Sequence, residues 1–173
     1  MPLRVLLTEE QIQNRIREMG AKISADYPDG NLHLVCILKG ACFFLADLAR
    51  SIGRDAFVEF MGISSYGKGK SSSGEVKVTK DLDNSVEGAH VLIVEDIVDS
   101  GVTLSYLMHL LQQRRPRTLR IAALLDKPDR RLRPVEVAYV GFQIPDEFVV
   151  GYGLDYAEKY RNLRDVCVLE ESP

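Results

Sequence analysis

Several residue types are scarce in this chain of 173 residues, and each scarcity excludes a class of protein. Tryptophan is absent, and the chain has only three cysteines and three scattered histidines. An odd number of cysteines without paired spacing argues against both a disulfide framework and a zinc site. We therefore expect the three cysteines to be buried, reduced thiols: Cys36, Cys42 and Cys167.

The chain also lacks long apolar runs and an excess of positive charge. No apolar run approaches the length of a membrane-spanning helix, and residues 1–7 are too few for the apolar core of a signal peptide. We therefore expect a cytoplasmic protein without a membrane partner. The formal net charge of −3 at pH 7 offers no general basic field for nucleic acid, so an anionic ligand needs a local site. The length suits one domain, which we expect to span residues 1–173.

The order of the predicted elements indicates the α/β class. Thr8 and Gln11 form a capping box, and apolar residues then recur at helical spacing to Ile23. Helical spacing returns at 41–48 and 104–111. Apolar runs predict strands at 33–38, 57–63, 91–94, 119–125 and 135–140, with shorter ones at 148–150 and 166–169. Strands that alternate with helices predict a mostly parallel, twisted sheet with helices on both faces.

One segment has a different composition from the rest. Residues 64–74 are rich in serine, glycine and lysine and carry almost no apolar side chain, so they cannot bury enough surface to become fixed. Val76 and Val78 alternate with polar residues and predict a half-exposed strand beyond this segment. We expect a mobile loop at about 64–83. A disordered surface linker explains the same composition equally well.

The stretch 91–104 is the most informative part of the sequence. An apolar strand leads to the acidic pair Glu95 and Asp96, which we place at the carboxyl edge of the sheet, where ligands bind in open parallel sheets. The turn that follows, residues 99–103, offers hydroxyls, a glycine and the free N–H groups of a helix start, which suit a monophosphate. Carboxylates beside a phosphate site suit a ligand that also carries hydroxyls, such as a ribose 5-phosphate. The simpler alternative is that the acidic pair ends a strand and Asp99 or Ser100 caps a helix.

This stretch resembles the diphosphoribosyl-binding motif of the type I phosphoribosyltransferases, and the hypoxanthine-guanine branch in particular. The resemblance extends from about residue 37 to residue 169. Ile-Leu-Lys-Gly-Ala at 37–41 resembles the loop whose Lys-Gly peptide, often cis, receives pyrophosphate, and Ser-Ser-Tyr-Gly at 64–67 resembles the start of the mobile catalytic loop. Residues 124–128 resemble the segment whose lysine recognises the base, and 148–156 resemble the segment that holds the base and a metal. The resemblance implies the type I fold with a small base-binding hood built from the N- and C-terminal segments.

The resemblance also implies a purine salvage reaction and its site residues. The ribosyl group of 5-phosphoribosyl 1-diphosphate would pass to hypoxanthine or guanine, giving IMP or GMP and pyrophosphate, with Mg²⁺ as cofactor. The implied residues are Glu95, Asp96, Asp99, Ser100, Gly101, Val102 and Thr103 for the ribose phosphate; Lys39, Gly40, Ser65, Tyr66 and Arg161 for pyrophosphate; Lys127, Phe148 and Val149 for the base; and Glu95, Asp96 and Asp155 for metal. Without the resemblance, Asp155, Arg161 and Phe148 would pass for a turn carboxylate, a surface arginine and a core aromatic.

The implied chemistry assigns distinct tasks to Asp99 and Lys127. Asp99 would be the general base that takes the proton from N7 of the purine. An aspartate is a weak base at neutral pH, which is tolerable because a ribosyl cation drives the bond formation. The ammonium of Lys127 can only donate a hydrogen bond, so it favours a 6-oxo group and rejects the 6-amino group of adenine.

Two rival functions remain at this point. Residues 62–69 nearly fit a nucleotide P-loop, but Gly69 replaces the Ser or Thr that binds magnesium, and no periodic helix follows. An RNA-binding regulator of the same fold, as in the pyrimidine attenuation proteins, could use the arginines at 114–120 and 130–133. Their positions near a helix C-terminus and in a turn, together with the acidic balance, favour ordinary surface arginines and no nucleic-acid partner. We expect a homodimer or homotetramer and leave the preferred base open.

Overall fold

The computed structural model describes residues 1–65 and 76–171. Its helices are α1 (Glu9–Asp26), α2 (Cys42–Ser51) and α3 (Val102–Gln112), with a short 3₁₀ turn at Pro128–Arg130. Its strands are β1 (Leu3–Leu7), β2 (Leu32–Ile37), β3 (Phe57–Ser65), β4 (Val76–Lys80), β5 (His90–Val98), β6 (Thr118–Asp126), β7 (Tyr139–Gln143), β8 (Val149–Val150) and β9 (Val166–Leu169). In this part of the chain, no helix has both the length and the apolar character needed to cross a membrane.

The central sheet has six strands in the order β4-β3-β2-β5-β6-β7. Its neighbouring strands are parallel except β4, which runs antiparallel to β3. Every residue of β2 and the first five residues of β5 are buried, as expected for parallel strands covered on both faces. The predicted α/β class with a mostly parallel sheet is confirmed.

The two faces of the central sheet carry separate apolar cores. Successive side chains of a strand point to opposite faces, so Leu92 packs with α1 and α2 while Ile93 packs on the other face with α3. Helix α1 begins at the predicted capping box, in which the side chains of Thr8 and Gln11 each accept the other's backbone N–H. Helices therefore cover both faces, as the alternation of elements predicted.

A second, three-stranded antiparallel sheet joins the two ends of the described chain in the order β1-β9-β8. Its register pairs Leu3 with Leu169 and Val149 with Val168. The sequence did not predict β1, because its five residues offer too short a pattern to separate a strand from a terminal segment. Phe148 is one of the predicted base-binding residues, and the pairing of β8 with β9 fixes the segment that directly follows it.

Several predicted boundaries were wrong. Strand β5 continues through Glu95 and Asp96 to Val98, because its pairing with β6 continues to Asp126, so the acidic pair lies within the strand. Residues 135–138 are not part of β7, although Val135 and Val137 pack against the core on the α3 side, which explains their apolar character. The three cysteines are free, but Cys42 is exposed at the start of α2 instead of buried.

Candidate active site

Two cavities, each of about 290 Å³, share Ile97 and Asp99 in their walls. The first, which we call the turn cavity, is lined by Glu95, Asp99, Ser100, Gly101 and Thr103 together with apolar side chains. The second, which we call the lysine cavity, is lined by Lys39, Gly40, Asp96, Ile97, Asp99, Lys127, Phe148, Val149, Leu154, Asp155 and Arg161. The chain therefore brings most of the predicted site residues to one place, with Asp99 between the two cavities.

The remaining predicted residues are Val102, Ser65 and Tyr66. Val102 is not among the wall residues, but it is the first residue of α3 and donates its N–H to Ser100 Oγ at 3.3 Å. Ser65 ends β3, where its backbone pairs with Val76 of β4, and Tyr66 lies outside the described residues. The predicted bounds of the loop, 64–83, are therefore too wide: residues 64–65 end β3, and Val76–Lys80 form β4, which pairs with β3. Residues 66–75 lie outside the described residues.

The turn that lines the first cavity depends on Gly101. This residue has a φ of 78°, and a Cβ atom there would lie 2.6 Å from the carbonyl oxygen of Arg133. Helix α3 starts immediately afterwards with Gly101 as its N-cap residue, which has no side chain to offer. Of the two residues considered as helix caps, Ser100 accepts the Val102 N–H at 3.3 Å, and Asp99 makes no such bond within the described residues. The N–H groups that follow Val102 in the first turn of α3 remain able to bind an anion.

The acidic pair sends one carboxylate into each cavity. Glu95 lines the turn cavity and Asp96 lines the lysine cavity, as expected for consecutive strand residues. Burial, followed by the charge of Asp96, raises the pKa of Glu95 well above its usual value. Burial also raises the pKa of Asp96, although its Oδ1 accepts the Ile97 N–H at 2.7 Å. Two adjacent, partly buried carboxylates repel each other, so a cation beside them would be favoured.

The carboxylates of the site fit magnesium better than a metal held by protein alone. In the parts of the chain that the structure describes, no three His, Cys, Asp or Glu side chains are grouped closely enough to hold a metal. Mg²⁺ usually binds through one or two carboxylates together with water and substrate phosphates. Glu95, Asp96 and Asp155 provide that kind of incomplete ligand set, and Asp155 also forms an ion pair with Arg161 at 3.4 Å.

Three chain segments meet at the Lys39-Gly40 end of the lysine cavity. A Cβ atom on Gly40 would lie 1.9 Å from Asp96 Oδ2, and one on Gly153 would lie 2.2 Å from the Gly40 carbonyl oxygen. Arg161 donates to the Gly153 carbonyl oxygen at 2.6 Å. The cis peptide bond lies between Leu38 and Lys39, and not between Lys39 and Gly40 as the resemblance implied. Close backbone approach therefore joins the β2–α2 loop, β5 and the 151–153 turn.

Lys127 stands at the other end of the lysine cavity in a group of charges. Only 7% of it is exposed, and its Nζ lies 4.0 Å from Asp99 Oδ1 and 3.8 Å from Asp146 Oδ1. Arg130 Nε lies 3.6 Å from Asp99 Oδ1, and Arg130 Nη1 lies 3.4 Å from Asp146 Oδ2. Asp99 Oδ1 is buried and has no hydrogen-bond partner within the described residues, although it lies within ion-pair distance of Lys127 and Arg130. Phe148 is 52% exposed, so it is a wall of the cavity and not a core aromatic.

Sequence reasoning missed the roles of Asp126, Arg131 and Asp146 around this site. Arg131 donates to the Asp99 carbonyl oxygen and to the Asp126 carboxylate, and Asp146 pairs with Lys127 and Arg130. The only sequence signal was the density of charge directly after Lys127. Most of the arginines considered as an RNA face are instead paired with carboxylates: Arg114, Arg115, Arg117, Arg130 and Arg131.

Comparison with known proteins decides the family. A model of the phosphoribosyl transferase domain matches residues 6–157. The chain belongs to the phosphoribosyltransferase family. It is similar to the hypoxanthine-guanine phosphoribosyltransferases of Bacillus subtilis, at 50% identity over 96% of this chain and 93% of the relative, and of Mycobacterium avium, at 54% over 96% and 85%. A crystal structure of a hypoxanthine phosphoribosyltransferase from Staphylococcus aureus matches with a TM-score of 0.94 at 50% identity, covering 96% of this chain and 91% of that one. These phosphoribosyltransferase relatives do not favour the RNA-binding alternative.

Proposed function

We propose that this phosphoribosyltransferase acts in purine salvage, transferring the 5-phosphoribosyl group of 5-phosphoribosyl 1-diphosphate to hypoxanthine and guanine. The products are IMP or GMP and pyrophosphate. The observation that carries the proposal is the pair of cavities joined at Asp99, with the 99–103 turn in one and Lys127 in the other. The similarity to hypoxanthine-guanine phosphoribosyltransferases along 96% of the chain supports the same reaction.

The donor extends across both cavities in this proposal. Its 5-phosphate binds the N–H groups and hydroxyls of the turn, where Gly101 permits close approach. Its ribose hydroxyls donate to Glu95 and Asp96. Its diphosphate binds the Lys39-Gly40 backbone and Arg161, and we assign its cover to Ser65 and Tyr66.

Magnesium completes the diphosphate side of the site. Glu95 and Asp96 would hold one ion through the ribose and its water shell, and Asp155 would hold a second. When bound, the metal supplies positive charge that neutralises the departing diphosphate. The adjacent, partly buried carboxylates, whose pKa values are raised, support a cation at this place.

The base occupies the Lys127 end of the lysine cavity. The ammonium of Lys127 donates to the oxygen at purine C6, and the half-exposed ring of Phe148 stacks on the base. The Val149 backbone meets the Watson–Crick edge. The cavity thus selects a 6-oxopurine, since a 6-amino group would face another donor.

The transfer needs one bond broken, one bond formed and one proton moved. The bond between ribose C1′ and the diphosphate oxygen breaks, and purine N9 bonds to C1′ of the resulting ribosyl cation. The N7 proton then passes to Asp99, a residue that lines both cavities. We assign the shielding of the cation from water to the segment that contains Ser65 and Tyr66.

Initial rates with four purine bases at a fixed donor concentration test the proposal. We expect turnover with hypoxanthine and guanine and none with adenine, and the same assay measures the rate with xanthine. In a Lys127→Ala enzyme the discrimination against adenine should weaken, because the obligate donor is gone. Turnover with none of these bases would disprove the proposed function, and an unchanged discrimination in Lys127→Ala would move the selection elsewhere.

The proposal also covers the cellular compartment and the oligomeric state of the enzyme. We place the enzyme in the cytoplasm, where the free thiols of the three cysteines would stay reduced. We propose a homodimer or homotetramer, and light scattering after size-exclusion chromatography would distinguish these states from a monomer. A similar solved structure, of the Trypanosoma cruzi hypoxanthine phosphoribosyl transferase, concerns the role of the C-terminal region in the oligomeric state and enzymatic activity of that protein.

A further inference from the structure

Arg131 connects two parts of the site without lining either cavity. Its Nη1 donates to the carbonyl oxygen of Asp99 at 2.8 Å, and its Nη2 donates to Asp126 Oδ1 at 2.7 Å. The side chains of Arg131 and Asp126 are only 19% and 7% exposed. Asp126 ends β6 and directly precedes Lys127. One guanidinium therefore bridges the backbone of Asp99 and the strand end that carries Lys127.

The surrounding contacts show that this segment supports the turn from behind. Leu132 donates its backbone N–H to the Ser100 carbonyl oxygen at 2.8 Å. The Cδ atom of Arg131 lies 3.1 Å from the position of a Cβ on Gly101, so its chain packs against the turn. Lys127 donates its own N–H to the Val98 carbonyl oxygen at 3.0 Å. The turn and the start of the 127–131 segment thus have a fixed relative position.

The chemistry of the bridge requires an arginine. Two donors in one plane reach two acceptors on different segments, which the guanidinium fork allows and a single ammonium does not. A buried ion pair is weak evidence for stability, because desolvation offsets much of the attraction. Its clearest effect here is geometric, since it fixes the Asp99 main chain against β6.

We propose that Arg131 is a positioning residue for the transfer reaction, holding the phosphate-binding turn and Asp99 in register with Lys127. The inference rests on the proposed function of Asp99 and Lys127. For the reverse reaction, in which IMP and pyrophosphate react, the inference predicts that KM for IMP changes and KM for pyrophosphate does not. The turn binds the IMP phosphate, whereas the Lys39-Gly40 segment packs against Asp96 and Gly153 and forms no hydrogen bond with Arg131.

The test compares Arg131→Met with Arg133→Met by steady-state kinetics with IMP and pyrophosphate. The Arg133 side chain is exposed and forms no ion pair or side-chain hydrogen bond among the described residues, so this control removes the same charge from the same segment. For Arg131→Met we expect KM for IMP to rise about 10-fold, equivalent to ~1.4 kcal/mol. A misplaced Asp99 should also lower kcat by up to about 100-fold, the order expected for a displacement of ~1 Å. We expect KM for pyrophosphate to stay within about twofold, and Arg133→Met to match the wild type.

A conservative variant, Arg131→Lys, keeps the proposal testable if Arg131→Met fails to fold. It retains the charge without the two-donor guanidinium, so we expect a smaller rise in KM for IMP and an unfolding midpoint close to that of the wild type. A uniform loss of active enzyme, with both KM values unchanged, would show a purely structural role and overturn the inference. Equal rises in KM for IMP and pyrophosphate would do the same. If the wild type itself failed to cleave IMP, the proposed function would be wrong, and the inference with it.

Discussion

Two parts of the site, the turn at residues 99–103 and the wall of the lysine cavity, are built from the chain in different ways. The turn is one continuous stretch that runs from the end of β5 into the first residues of α3, and its shape depends on Gly101. The wall assembles Lys39, Asp96, Lys127, Phe148, Asp155 and Arg161 from segments far apart in the sequence. A local motif can therefore specify the phosphate side, whereas the base and diphosphate side exists only after the chain has folded.

The largest effect should come from removing divalent metal, which we propose binds beside Glu95, Asp96 and Asp155. The raised pKa values of Glu95 and Asp96 reflect partly buried negative charge that a cation would stabilise. We expect exhaustive chelation to abolish IMP formation, and added Mg²⁺ or Mn²⁺ to restore it. Initial rates in chelator and after metal addition measure this, and full activity in chelator would contradict the assignment of these carboxylates.

Asp99 lines both cavities, so its substitution tests whether this residue acts in the chemical step, measured by kcat, or in binding, measured by KM. Asp99→Asn keeps the shape of the side chain but removes the base. We expect kcat for IMP formation to fall by about 10²–10⁴-fold, the usual range for a lost general base, with little change in KM for the donor. Glu95→Gln is the matched control: it should weaken use of the donor or metal instead. A near-normal kcat for Asp99→Asn would leave this residue with a structural role in the turn.

Two glycine substitutions should separate the turn from the wall directly. A Cβ on Gly101 would clash with the Arg133 carbonyl oxygen and would require a positive φ, so Gly101→Ala should raise KM for IMP. A Cβ on Gly40 would clash with Asp96 Oδ2, so Gly40→Ala should raise KM for pyrophosphate. We expect changes of roughly 10-fold, corresponding to ~1.4 kcal/mol, in each case. Steady-state kinetics of the reverse reaction measures both, and identical effects of the two variants would show that the regions are not independent.

The smallest effect concerns the other end of β5. His33 and His90 are buried, and burial is the main cause of the lowered pKa of each. As pH falls below about 6.5, the unfolded chain binds protons at these two imidazoles before the folded protein does, so their contribution to the free energy of unfolding decreases. The raised pKa values of Glu95 and Asp96 act in the opposite direction. Urea midpoints of the wild type and His90→Gln between pH 7.5 and 5.5 isolate the histidine. The midpoint of His90→Gln relative to that of the wild type should rise as pH falls, with neither KM changed, and a constant difference would remove His90 from the explanation.

Much of the fold and the phosphate side could be predicted from the sequence. The capping box at Thr8 and the strand-turn-helix pattern of 91–104 are local signals, and the structure confirms the elements that they predicted. β1 could not be predicted, because its pairing with β9 is set by contacts at the far end of the chain. The roles of Arg131 and Asp126 were missed for the same reason: a buried bridge between two segments leaves no spacing pattern.

The pairing of β1 with β9 also has a consequence for the order in which the molecule is completed during synthesis. Leu3 pairs with Leu169, so the sheet that fixes the segment after Phe148 cannot close until residue 169 is available. β5 pairs with β2 and β6, so the strands beside the turn are all available by residue 126. A nascent chain could therefore complete the turn at residues 99–103 well before the wall of the lysine cavity. Under the proposed function, binding of a purine would report that the β1-β9-β8 sheet has closed.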